Sequence, residues 1–174
     1  MFRNVVDIKV GEAIRQWVMS LNDGSDTIHL DKRTNLWAIV KQNLELVPAD
    51  YHTIHDRSEY IYIELLVTRG SSPVYNIPSQ KDIRLNELYR CYISQDGQNA
   101  IKRYLENQLR NAFVIYMVAR SAQVESNEKI SHAITSFLLD YDLPVDKKMV
   151  ARLMKYWYRY RQKHPEKNAI PIFF

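Results

Sequence analysis

The sequence predicts an α+β fold: a small mixed sheet with helices in the N-terminal half, then a helical C-terminal half ending in a helix-turn-helix-like pair. Three observations predict it. Runs of β-branched and aromatic residues, YIYIELLV above all, fall before residue 94. From residue 94 onward, apolar residues recur at the three- and four-residue steps of a helix. With 46% hydrophobic and 25% charged residues, composition is near the globular average and allows one core of useful size. The natural division is an α+β subdomain over residues 1 to 93 and a helical subdomain over 94 to 174, packed as one unit.

Val5, Val6, Ile8 and Val10 read as a short strand. Residues 12 to 21 read as a helix, with Ala13, Ile14, Trp17, Val18 and Leu21 at helical spacing. Asn22, Asp23, Gly24 and Ser25 form a turn, since Asn and Gly tolerate positive φ. Residues 27 to 30 make a brief strand, and Asp31 is placed to cap the next helix. That helix aligns Leu36, Ile39, Val40, Leu44 and Val47, and Pro48 stops it. Residues 60 to 67 form the clearest strand; their continuous apolar run predicts a central position with both faces covered. Residues 88 to 93 are a second candidate strand.

In the second half, Ser94 is the expected N-cap of a long helix. Its stripe is Ile101, Tyr104, Leu105, Leu109, Ala112, Phe113, Tyr116 and Met117, while Lys102, Arg103, Glu106 and Arg110 face away. At ~1.5 Å per residue it extends roughly 40 Å, the spine of the domain. A break over residues 124 to 127 precedes a shorter helix, capped by Asn127, with Ile130, Ala133, Ile134, Phe137 and Leu138 inward. The turn Asp140-Tyr141-Asp142 leads into Leu143-Pro144, proline being favoured near helix starts. The last helix buries Met149, Val150, Leu153, Trp157 and Tyr160.

Charge singles out that last helix. Residues 1 to 144 carry 16 basic and 18 acidic side chains, a balance of −2, whereas residues 145 to 167 carry eight and two, a balance of +6. Lys148, Arg152, Lys155, Arg159 and Lys163 follow at steps of four, three, four and four, which keeps all five on one face. Like charges at such steps repel by a few tenths of a kcal/mol per pair. A face this basic is suited to an anionic partner. Tyr156, Tyr158 and Arg161 flank it, in reach of phosphates or of bases to stack on. The expected DNA-contacting set is Lys148, Arg152, Lys155, Tyr156, Arg159, Arg161 and Lys163, on a basic helix over residues 146 to 163.

Other chemistry finds little support. His52 and His55 in YHTIHD, with Asp56 beside them, have a spacing that suits a metal, but no further ligand is near to complete a closed site, and the stretch reads as a polar loop. Cys91 lies between Arg90 and Tyr92 in a candidate strand and reads as a buried, inert thiol; as the single cysteine it fits a reducing cytosol. Gly11, Gly24, Gly70 and Gly97 are isolated, so no phosphate-cradling loop is present, and no catalytic signature occurs. The expectation is a protein without catalytic residues, cofactor or metal. No apolar run approaches the roughly 18 residues that span a bilayer. The N-terminal MFRNVVDIKV lacks the layout of a secretion signal, which predicts a cytoplasmic protein.

The apolar ending Ile170, Pro171, Ile172, Phe173, Phe174 predicts docking, into this chain, another copy or a partner protein. With twelve tyrosines and the long helix, it supports a second expectation, a structural or assembly protein acting through homo-oligomerisation.

The segments GSDTIHL, YIYIELL, YISQDGQ and RLMKYWYRYRQK resemble small uncharacterised proteins carried by phages and mobile elements of gut Bacteroidales. The resemblance implies an accessory protein of a mobile genome and assigns no residue a role. It accommodates both a DNA-binding accessory factor in the host cytoplasm and a ring or connector component of a virion.

Overall fold

A computed structural model describes residues 5–31, 33–46, 57–65, 91–120 and 127–165. The fold class is as expected, with strands in the N-terminal half and helices dominating the C-terminal half. The chain divides into two compact units, Met1–Glu106 and Asn107–Phe174. The stretches at 52–56 and 170–174 lie outside the described residues, as do residues 66 and 67 of the candidate central strand and 88 to 90 of the next.

The first unit holds β1 (Val5–Lys9), α1 (Glu12–Leu21), β2 (Thr27–His29), α2 (Asn35–Asn43), β3 (Leu44–Leu46), β4 (Tyr60–Glu64) and β5 (Cys91–Ile93). β4 is central in a mixed sheet of order β1-β4-β2. It runs antiparallel to β1, with Val6 opposite Ile63 and Ile8 opposite Ile61, and parallel to β2, with Ile28 opposite Ile63. Val6, Ile8, Ile61 and Ile63 are buried, as are Ile14, Trp17 and Val18 of α1, which contacts β4. Alternate residues Tyr60, Tyr62 and Glu64 are only half-buried, so the central position holds but the second face is not fully covered. The long apolar run misled because tyrosine, with its polar tip, serves a half-wet face as readily as a dry one.

Local chemistry moved two boundaries. Thr34, not Asp31, is the N-cap of α2: its hydroxyl accepts from the Trp37 N–H at 3.3 Å. Asp31 instead organises the preceding turn, its carboxylate accepting from the Arg33 N–H and its carbonyl from Thr34. At the other end α2 stops at Asn43, well before Pro48, and Leu44 takes extended φ/ψ to open β3. β3 pairs antiparallel with β5, Leu44 facing Ile93, and the Tyr92 hydroxyl donates to Glu45 at 2.8 Å. Leu44 continued the four-residue rhythm of Leu36 and Val40, so its spacing alone read as helix.

α3 (Gln95–Arg120) begins in the first unit and ends in the second. Ser94 caps it as expected, its hydroxyl accepting from the Gly97 N–H at 3.2 Å. The buried residues Ile101, Leu105, Leu109, Phe113 and Met117 recur at strict four-residue steps.

The second unit completes α3 and adds α4 (Asn127–Asp140) and α5 (Lys147–Lys163). The five inward residues expected on α4, Ile130 to Leu138, are all buried. Phe137 is central: Phe113 and Tyr116 of α3 each meet it edge-on at 5.2 Å, and Tyr141 lies 4.9 Å away. No helix among the described residues is long and apolar enough to cross a membrane.

Candidate nucleic-acid interface

The connection between α4 and α5 sets where the basic helix starts. The Leu143 N–H donates to the Leu138 carbonyl at 2.7 Å and the Asp142 N–H to that of Leu139 at 3.2 Å. Those two bonds, with Asp142 at φ +51°, make a Schellman ending. Leu143 and Leu138 are both buried, as the hydrophobic contact of that motif requires. An aspartate thus fills the left-handed position that glycine usually takes, which is why the missing glycine did not prevent a tight turn. Pro144 follows this ending and does not open the next helix. Asp146 does, its carboxylate accepting from the Met149 N–H at 2.7 Å.

Once started, α5 is held by its apolar side. Met149, Leu153 and Trp157 are buried at four-residue steps, while Val150 and Tyr160 are half-buried at their margin. Trp157, 4% exposed, stacks with Tyr160 at 5.7 Å and an interplanar angle of 14°. The Tyr160 ring then meets His164 at 4.6 Å. This packing determines which side of the helix is left to solvent.

Lys148, Arg152, Lys155, Arg159 and Lys163 are all exposed on that side. None of these five side chains has an ion-pair partner among the described residues. At ~1.5 Å per residue the ridge they form is roughly 22 Å long. Lys163 also sits in the last turn, where a cation meets the negative end of the helix dipole.

Two residues of the expected set lie elsewhere. Arg161 is half-buried, two positions and therefore about 200° around the helix from Arg159. Tyr156 is half-buried too: its ring lies 6.3 Å from Phe113, and the Arg110 guanidinium of α3 stands over it at 6.0 Å. Tyr156 therefore joins α5 to α3, and Arg110 brings a sixth cation beside the ridge. Arg110 is exposed, with one guanidinium nitrogen donating to Asn107 at 3.3 Å. Arg110 is on the outer face of α3, and only the packing of Tyr156 against that helix brings it to the edge of α5.

A second polar cluster ties α3 to α4. The Tyr116 hydroxyl donates to Asp140 at 2.8 Å, and the Arg120 guanidinium lies 4.5 Å over the Tyr116 ring and 4.0 Å from the same carboxylate. Burial, then the hydrogen bond to the Asp140 carboxylate, pushes the Tyr116 hydroxyl up to about 12. The cluster also offsets the unfavourable placement of an acidic residue at a helix C-terminus.

What the arrangement can do is electrostatic: present a rigid row of positive charge, backed by a buried tryptophan, to a partner with regularly spaced negative charge. No family model matches the chain, and no curated protein or solved structure matches it either.

Proposed function

We propose that the protein is a non-enzymatic DNA-binding accessory protein of a phage or mobile element, contacting nucleic-acid phosphates through the basic face of α5. One observation carries this reading: five exposed cations on one helical face, without ion-pair partners among the described residues. Mutual repulsion makes such a row unfavourable in the isolated protein, and neutralisation by phosphates removes that cost. The genomic setting rests on the sequence resemblance alone.

A gel-shift titration at low salt tests it. The wild type is expected to retard DNA, and the triple variant Arg152→Ala/Lys155→Ala/Arg159→Ala is expected to lose most of that affinity while keeping its far-UV circular dichroism. Wild-type protein that fails to shift DNA at low salt sinks the proposal.

A second reading is self-assembly as a structural component, favoured by Ile115 on α3 and Leu139 on α4, which are 70% and 62% exposed. Exposed apolar side chains mark an interaction surface where they join into one patch. Light scattering separates the two: a strict monomer at high concentration counts against assembly.

A further inference from the structure

Nucleic acids differ in what they require of a protein. A single strand is held on aromatic rings on which its bases stack. A specific duplex site is read by side chains that reach base edges, and phosphates alone confer no sequence preference.

The structure removes the stacking option from α5. Of its four aromatic residues, Tyr156 and Tyr158 flank the cations and are the two that the sequence offers to bases. Trp157 is buried, Tyr160 stacks on it, and Tyr156 is wedged between Phe113 and Arg110. Tyr158 is half-buried and already in contact with other residues. No aromatic residue of α5 is exposed.

What the ridge does expose is charge. Three of its five members are lysines, compact point charges without the planar fork of arginine, and such charges suit phosphate oxygens. The other exposed residues on its flanks are Ala151 and Gln162 in the body of the helix, so hydrogen-bonding side chains that read bases are nearly absent. The ridge is also continuous along the helix, whereas base-reading helices concentrate their contacts in the N-terminal turns. Over the roughly 22 Å that the five cations span, a duplex carries about 13 phosphate charges at one per ~1.7 Å of its axis, so every cation has a phosphate in reach.

Resting on the DNA-binding reading above, we infer that the ligand of α5 is double-stranded DNA, held by its phosphates without sequence preference, and that single strands are poor ligands. Arg110, placed beside the ridge by Tyr156, adds a phosphate contact from a second helix.

Fluorescence anisotropy with the full chain tests this against three labelled probes of equal length: two duplexes of about 30 base pairs with unrelated sequences, and one single strand. The two duplexes should bind within about twofold of each other with the same salt slope, and the single strand about tenfold more weakly. Tyr158→Ala should leave duplex affinity within about twofold of wild type, as expected of a ring that stacks on no base. A single strand bound as tightly as the duplexes, a preference of about tenfold for one duplex, or a large loss in Tyr158→Ala overturns the inference and leaves DNA binding standing. Failure to bind any of the three probes overturns both.

Discussion

Gly97 shows how one missing carbon positions an element. A Cβ there would lie 2.3 Å from the Asn43 Cβ and 2.6 Å from the Ile93 Cγ2, so the first turn of α3 can approach the end of α2 and β5 only through glycine. Gly97→Ala should therefore destabilise the protein by about 1–3 kcal/mol, the usual range for overpacking. A lowered denaturation midpoint measures it, and an unchanged midpoint contradicts the close approach. Tyr116 provides a test through pH. Its hydroxyl is raised from an ordinary value of 10.0 to about 12, so the folded state holds the proton more tightly than the unfolded chain. The corresponding stability is fully present below pH 10 and lost as pH rises to about 12. Urea midpoints across this window should fall more steeply for wild type than for Tyr116→Phe; parallel curves would refute the assignment.

Among the elements, the helices of the second half were legible because burial repeats at one interval. Ile101, Leu105, Leu109, Phe113 and Met117 sit four apart, and each is buried. Short strands leave no such record. β3 has three residues, and its first, Leu44, fits the helix before it equally well. Caps were legible only where a single candidate stood at the boundary: Ser94 was unambiguous, whereas Asp31 and Thr34 competed and backbone geometry decided for the nearer one. The ridge of the candidate site was legible for the same reason as the helix cores, since a four-residue rhythm specifies a face. Its edge was not, because Arg110 and Tyr156 are 46 positions apart and meet only through packing. The turn between α4 and α5 yields its own prediction. Asp142 sits at φ +51°, a conformation that glycine adopts without a Cβ penalty. Asp142→Gly should stabilise the protein by about 0.5–1 kcal/mol, read as a higher melting temperature, and a loss of stability would show that the aspartate side chain contributes more than its backbone costs.

At the scale of the whole molecule, the charge distribution is the feature to explain. Outside residues 145 to 167 the chain is close to neutral, so the +6 of that segment is not a diffuse background. α5 divides the two tasks between its sides: Met149, Leu153 and Trp157 join the core, and the opposite side presents the cations. Removing cations should therefore affect binding and leave the fold in place, whereas Trp157→Ala should cost about 3–5 kcal/mol of stability. The salt dependence of duplex binding tests the central claim most directly, because the slope counts phosphate contacts independently of total affinity. Each contact contributes about 0.9 to the slope of log affinity against log salt concentration. With the five ridge cations and Arg110 each on a phosphate, a slope of about −5 is expected for wild type, shallower by about 3 in the Arg152→Ala/Lys155→Ala/Arg159→Ala variant. Equal slopes for the two proteins would contradict it.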